Sequence, residues 1–253
     1  MIALVESQRF HCRSLFDEVP IWRAFIESAI EDGYGHIIAD DDAHPEAAVL
    51  FYSGLVIYAG DSSCSAADTL IRHFEVQPVI LGYSMEWNRR IENVLGKGRS
   101  EGRRYHLPYA NLRPAVPKQI LEGSGREPEA IGADDYVELQ SALGWEHHLH
   151  HYGSRDDFLE NGNGFVLKRE GRIVSGASSF VVSSEHSECQ VTTVELERGK
   201  GFARLVSAAY LKSCLEKGLG TPWDAANVAS VRLGRSLGFA EVTEYKTYAY
   251  LPS

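Results

Sequence analysis

The stretch Val191-Thr-Thr-Val-Glu-Leu-Glu-Arg-Gly-Lys-Gly-Phe-Ala203 holds the residue types and spacing that most clearly suggest chemistry. Gly199 and Gly201 carry no side chain, so backbone N–H groups there can approach a ligand closely. Arg198 and Lys200 put positive charge at the same place. The apolar spacing of Phe202 to Leu215 predicts a helix whose N-terminus would point its unpaired N–H groups and dipole at an anion. The combination makes a pyrophosphate cradle, and the alternative is an ordinary strand-to-helix turn whose glycines serve only the backbone. It is not a GxxxxGK[ST] phosphate loop. Nor is it a dinucleotide fingerprint, because GxGxxG would need a third glycine where Arg204 stands.

Two other groups invite a chemical reading. Glu146-His147-His148-Leu149-His150-His151 would put His147 and His151 one helical turn apart, a spacing that suits zinc or nickel. No second His or Cys group with ligand spacing stands near it, so it reads as a polar helix face and no metal is assigned. The four cysteines, Cys12, Cys64, Cys189 and Cys214, lie far apart without CxxC, which fits free thiols in a reducing cytoplasm. Trp22, Trp87, Trp145 and Trp223 read as core residues.

The elements that must carry these residues can be read from periodicity. Asp17 to Gly33 predicts a helix, with Ile21, Trp22, Phe25, Ile26, Ala29 and Ile30 on one face. Ala48–Tyr52 and Leu55–Ala59 predict a strand pair around Ser53-Gly54. Ser65–His73 and Trp87–Leu95 predict helices, Val79–Leu81 and Arg104–Leu107 strands. Periodicity is lost from Pro108 to Asp135 among four prolines, which reads as a joint between two halves. Beyond it come a helix at Tyr136–Leu143 and three strands, Gly164–Lys168, Ile173–Val182 and Glu188–Val194. The helix from Phe202 follows, then a strand at Trp223, a helix from Asn227 to Leu237 and a last strand at Glu244–Leu251. The pattern describes an α+β, or mixed α/β, class.

Composition excludes several functions. Twenty-five Lys and Arg against 35 Asp and Glu give a net charge of −10 in 253 residues, which argues against nucleic-acid binding by bulk electrostatics. No apolar run approaches the ~20 residues of a membrane span. Met1 to Val5 run straight into Glu6, unlike a signal peptide. A cytoplasmic protein is expected.

The chain resembles the GNAT N-acetyltransferase superfamily. Arg198-Gly199-Lys200-Gly201-Phe202-Ala203 is similar to its Q/R-x-x-G-x-G/A signature at the strand-to-helix junction. Asn227, Ser230, Leu233, Leu237 and Gly238-Phe239 are similar to its second signature, an Asn followed by a helix ending in Gly-Phe. The run Thr193 to Tyr250 looks closest to the two-domain branch that contains zwittermicin A resistance acetyltransferases. The resemblance implies a GNAT fold with a central mixed sheet in residues 116–253, the acetyl-CoA-binding catalytic domain. A smaller α/β accessory domain over residues 1–115 would complete the acceptor site or a homodimer, and lacks a second cofactor loop, since Gly96-Lys97-Gly98-Arg99 follows a helix.

Residue by residue, the resemblance implies that Val191, Thr192 and Thr193 bind the acetyl carbonyl and pantetheine arm, with the Thr193 N–H as oxyanion donor. Arg198, Gly199, Lys200, Gly201, Phe202, Ala203 and Arg204 would hold the pyrophosphate of acetyl-CoA. Asn227, with Ser230 beside it, would bond the pantetheine. Glu188 is the implied base and Asp224 its competitor, although Asp224 could equally cap the next helix. The tyrosine acid that many relatives carry seven places after the Asn is replaced by Gly234. The thiolate would then leave unassisted or take a proton from Tyr245 or Tyr248. The expected activity is transfer of acetyl to the amine of a small molecule, without nucleic acid, membrane or metal. The alternatives are a non-catalytic acyl-CoA-binding module and an aminoacyl- or peptide-directed transferase of double-GNAT type.

Overall fold

A computed structural model describes residues 1–74, 77, 79–142 and 152–250. The histidine cluster at 146–151 and Trp145 lie outside them.

The chain falls into two compact units: Met1–Tyr105 with the residues from Glu244 onward, and His106–Thr243. This division lies about ten residues before the expected joint at 115, and it returns the last strand to the first unit. Both differences follow from strand pairing, which a linear reading of prolines does not see.

In the first unit, β1 (Ile2–Ala3) leads into short helices α1 (Glu6–Arg9) and α2 (Arg13–Phe16), then α3 (Arg23–Glu31). α3 begins six residues later than its apolar spacing predicts, because Trp22 stands in the left-handed region at φ 58° and breaks the helical path. β2 (His36–Ala39), β3 (Ala47–Tyr52) and β4 (Leu55–Gly60) follow. Ser53 and Gly54, at φ 48° and 82°, form the two-residue turn whose twist matches a β3–β4 hairpin. Next come α4 (Ala67–His73), β5 (Val79–Gly82) parallel to β4, α5 (Met85–Leu95) and β6 (Arg99–Leu107). The strands run in the order β1-β2-β3-β4-β5, and β12 from the far end of the chain lies between β5 and β6. Their core includes Val49, Val56, Tyr58, Leu70, Ile80, Trp87, Ile91 and Tyr248.

The second unit opens with α6 (Ala115–Glu122), β7 (Glu129–Ala130), α7 (Ala133–Ala142) and α8 (Arg155–Asn161). β8 (Gly164–Arg169), β9 (Arg172–Val182) and β10 (Ser187–Thr193) then form an antiparallel meander, giving a sheet ordered β10-β9-β8-β7. α9 (Phe202–Glu216) packs on it through Val206, Tyr210, Leu211 and Cys214, all buried. Each such side chain contributes about 1.5–3 kcal/mol of burial, which anchors the N-terminus of α9 against β10. β11 (Trp223–Ala225), α10 (Val228–Ser236) and β12 (Thr243–Tyr250) complete the chain. The fold class is the mixed α/β one expected.

Candidate active site

β10 is an edge strand, and its edge is the first half of the site. Val194 N–H donates to the Val174 carbonyl at 2.9 Å, and Thr193 stands opposite Ser175. In an antiparallel pair such bonded positions alternate, so the backbone N–H of Thr193, and of Val191 two before it, points away from β9. The Thr193 carbonyl confirms this direction by accepting from Arg198 Nε at 3.3 Å. Outward N–H donors on an edge strand are what a developing oxyanion requires.

β11 is the other half. It approaches β10 at one end, where His186 and Gly220 form an isolated parallel bridge and the Asp224 N–H donates to Glu188 Oε1 at 3.3 Å. Farther along, the backbones of Val191 to Thr193 and of β11 share no ladder, because the two strands belong to different sheets. The two neighbouring strands therefore part where the outward N–H groups lie.

The loop from Glu195 to Gly201 closes one end of this opening. Glu195–Glu197 form a 3-10 turn, and Gly199 and Gly201 both adopt left-handed backbone, at φ 78° and 83°. Only glycine takes these conformations without strain, and a Cβ at either place would meet nothing within 4 Å, so the space beside the loop is open. Gly201 is the N-cap of α9 and supplies no side-chain cap. The first N–H groups of the helix are left facing that space, as an anion site needs. Glu197 accepts from Arg169 Nη1 at 2.8 Å and from Lys200 Nζ at 2.9 Å, and these two donors hold its carboxyl below the usual range. Arg204 reaches the Ser236 carbonyl at 3.4 Å, tying α9 to α10. Phe202 is buried, so it offers its N–H rather than its ring.

A cleft of about 370 Å³ opens at this loop, lined by Lys200, Gly201 and Arg204 on one side and by Val116, Gln119 and Ser124 on the other. The second wall is α6 and its exit, which fall in the stretch without periodicity. Arg126 adds a cation there, its guanidinium 5.1 Å from the Phe202 ring centre. Nothing in the sequence signals this wall, since Pro117 lies inside the helix that forms it.

α10 brings in the second motif. Asn227 is its N-cap, and Asn227 Oδ1 accepts from the Ser230 N–H at 3.0 Å, which leaves the side-chain NH₂ as a further donor. Ser230 Oγ accepts from Trp223 Nε1 at 3.0 Å.

Ser187 Oγ meets Tyr210 of α9 at 2.6 Å, so Ser187, Cys189, Val191 and Thr193 face that helix. Glu188, Gln190 and Thr192 take the opposite face. Glu188 is buried, 6% exposed, and is the second residue of β10. Asp224 is half-buried and does not cap α10, since Asn227 does. Leu107 and Trp223 both pack against Gly234, so His106 and Asp224, one place along their strands, project to the other side. Burial pushes the His106 imidazole below its usual range, opposed by the nearby Asp224 charge. Sequence reasoning misses His106, because a lone His in an alternating strand gives no signal. Burial pushes the Cys189 thiol well up, which disfavours its thiolate form.

A model of the GNAT acetyltransferase family matches residues 13–248. The chain belongs to the GNAT acetyltransferase family. This GNAT chain is an N-acetyltransferase enzyme. It is 26% identical over 225 residues to YdfB, an uncharacterized N-acetyltransferase of Bacillus subtilis, covering 85% of each chain. It is also similar to the crystal structure of a GCN5-related N-acetyltransferase-like protein from Streptococcus suis, with TM-score 0.83, 25% identity and 97% and 99% of the two chains covered. A GCN5-related N-acetyltransferase from Sphaerobacter thermophilus shares the fold at TM-score 0.59 and 16% identity, over 98% of this chain and 94% of that one. Among the described residues of this GNAT chain, no helix is long and apolar enough to cross a membrane.

Proposed function

We propose that this chain transfers the acetyl group of acetyl-CoA to the amine of a small molecule by direct attack, as a cytoplasmic enzyme of the branch that contains zwittermicin A resistance acetyltransferases. The carrying observation is the uncapped N-terminus of α9 behind two left-handed glycines, set next to an edge strand with outward N–H groups. The residues present suit acetyl-CoA at its pyrophosphate and along its pantetheine arm. The N–H groups from Gly199 to Arg204 suit a pyrophosphate, with Arg198 and Lys200 supplying charge. The Asn227 amide suits the pantetheine amides, alongside the edge of Val191 and Thr193. When bound, acetyl-CoA supplies the activated acyl carbon.

The chain's own part is to hold that carbon and to manage charge and protons. The Thr193 N–H stabilises the oxyanion formed as the amine attacks. Glu188 takes the proton the amine loses, a role favoured by its burial on the polar face of β10 and by the Asp224 N–H that fixes one of its oxygens. Asp224 is the competing base. The reaction so read calls on no metal ion. The net charge of −10 favours a cationic acceptor over nucleic acid. The first unit would complete the acceptor site or pair with a second copy of the chain.

Thermal-shift titration tests the cofactor reading: CoA should stabilise the protein while NAD and ATP leave it unmoved, and equal shifts from all three would sink it. A thiol-release assay over a panel of amines tests the acceptor class.

A further inference from the structure

Moving an acyl group from a thioester to an amine forms a C–N bond and breaks the C–S bond, and the sulfur departs with the electron pair. A hydrogen-bond donor at that sulfur stabilises the charge it gains. Three neighbouring residues decide where this chain keeps one. Gly234 is buried, and a Cβ built there would stand 2.7 Å from Leu107 Cδ2 and 3.1 Å from Trp223 Cδ1, so a side chain at that position would press on both. The indole of Trp223 takes that space and is 3% exposed. A buried indole N–H needs an acceptor, and it finds Ser230 Oγ at 3.0 Å. Ser230 lies one turn before Gly234 and three residues after Asn227, on the same face of α10.

A serine inside a helix commonly gives its proton back to a carbonyl of the preceding turn, as Ser236 gives its own to Leu233 at 2.7 Å. The Ser230 hydroxyl has the Trp223 indole as its hydrogen-bond partner among the described residues and donates to no carbonyl. Its oxygen is engaged as an acceptor, and its O–H proton remains available to donate away from the helix. The indole also polarises that O–H outward, since a hydroxyl that accepts a hydrogen bond becomes a better donor. Of the two tyrosines considered above, Tyr248 donates its hydroxyl to Glu92 at 2.7 Å within the first unit.

We propose that the Ser230 hydroxyl donates a hydrogen bond to the departing sulfur, with Trp223 as the residue that positions and polarises it. The assignment rests on the acetyl-CoA reading above. Ser230 stays protonated throughout. The sulfur leaves as a thiolate with the electron pair of the broken bond, and the proton shed by the attacking nitrogen goes to the base.

The experiment titrates the thiol of CoA bound to the full chain by its ultraviolet thiolate absorbance, with calorimetric affinity measured alongside. The proteins are the wild type, Ser230→Ala, Ser230→Thr and the double variant Trp223→Phe with Ser230→Ala. In the wild type the bound thiol should titrate below that of CoA in solution. Ser230→Ala should raise it by about one pKa unit, the size of a lost hydrogen bond to a charged group. Ser230→Thr keeps the hydroxyl and should stay near the wild type. The double variant removes the indole donor that Ser230→Ala alone would leave buried and unpaired, and should show the same raised value. Turnover in Ser230→Ala should fall about tenfold with affinity for acetyl-CoA retained. If both alanine variants bind CoA and titrate like the wild type, the assignment to Ser230 is overturned and the acetyl-CoA reading stands. If the wild type binds no CoA, that reading falls and takes this one with it.

Discussion

Gly96-Lys97-Gly98-Arg99 in the first unit and Arg198-Gly199-Lys200-Gly201 in the second are built from the same residues, yet they sit at opposite ends of their helices. The first ends α5: Gly96 turns left-handed at φ 57°, a 3-10 turn follows, and β6 begins at Arg99. The Arg99 guanidinium folds back onto the carbonyls of Gly96 at 2.6 Å and Glu92 at 3.3 Å, so the cation satisfies the negative end of the helix. The second opens α9, where the groups left over are N–H donors and the dipole is positive. One loop neutralises itself, and in the proposed function the other is neutralised by a bound anion. A glycine-rich basic tetrapeptide therefore says nothing about anions until the order of strand, loop and helix around it is known.

The sharpest way to break this comparison is to place an identical charge in both loops. Gly201→Asp should lose CoA affinity by about a thousandfold, since a like-charge pair near 4 Å costs about 4 kcal/mol at an effective dielectric near 20. Gly98→Asp should leave the affinity unchanged. Because Gly201 stands at φ 83°, the control is Gly201→Asn, which tolerates left-handed backbone and carries no charge. Calorimetry on the three proteins, with melting temperatures, separates charge from strain; an aspartate at 201 that still binds CoA would refute the cradle.

Next in size is Glu188→Gln. The amide keeps an oxygen for the Asp224 N–H and removes only the base, so turnover should drop about a hundredfold while CoA affinity holds. Should that variant turn over normally while a folded Asp224→Asn does not, the base is Asp224.

Gly234→Ala comes third. Its methyl group would press on Leu107 and Trp223, both nearly inaccessible to solvent, at a cost of about 1–3 kcal/mol. A chain of this size should lose about 2–4 °C in melting temperature per kcal/mol. An unchanged melting temperature would mean that the pocket can yield, and that glycine there is not a packing requirement.

The smallest effect belongs to the self-neutralising loop. Arg99→Ala exposes the last carbonyls of α5 and should cost about 1 kcal/mol of stability with no change in CoA affinity. A change in CoA affinity would give the first loop a ligand role and erase the distinction between the two.

Much of the site is legible in the amino-acid sequence alone. The loop at Arg198 to Ala203, the helix it opens, the Asn227 cap and the β3–β4 turn at Ser53-Gly54 all rest on local rules: glycine at left-handed positions, periodicity over a few turns, a cap three residues from its N–H. Such signals lie within a handful of residues, and the chain cannot hide them.

What the tertiary structure alone decided involves residues far apart. The prolines around α6 read as a joint, yet Pro117 sits in the first turn of the helix, where a missing N–H deprives no carbonyl. β6 runs from Arg99 across a stretch of exposed polar residues that no alternation would mark, because its partner is β12, some 140 residues on. The outward direction of the Thr193 N–H depends on register with β9. The lack of room at Gly234 depends on a tryptophan from β11 and a leucine from β6. Local sequence sets which conformation a few residues prefer, whereas the direction of an N–H and the room for a side chain are set by whatever packs against them. That neighbour is chosen only when the chain closes on itself.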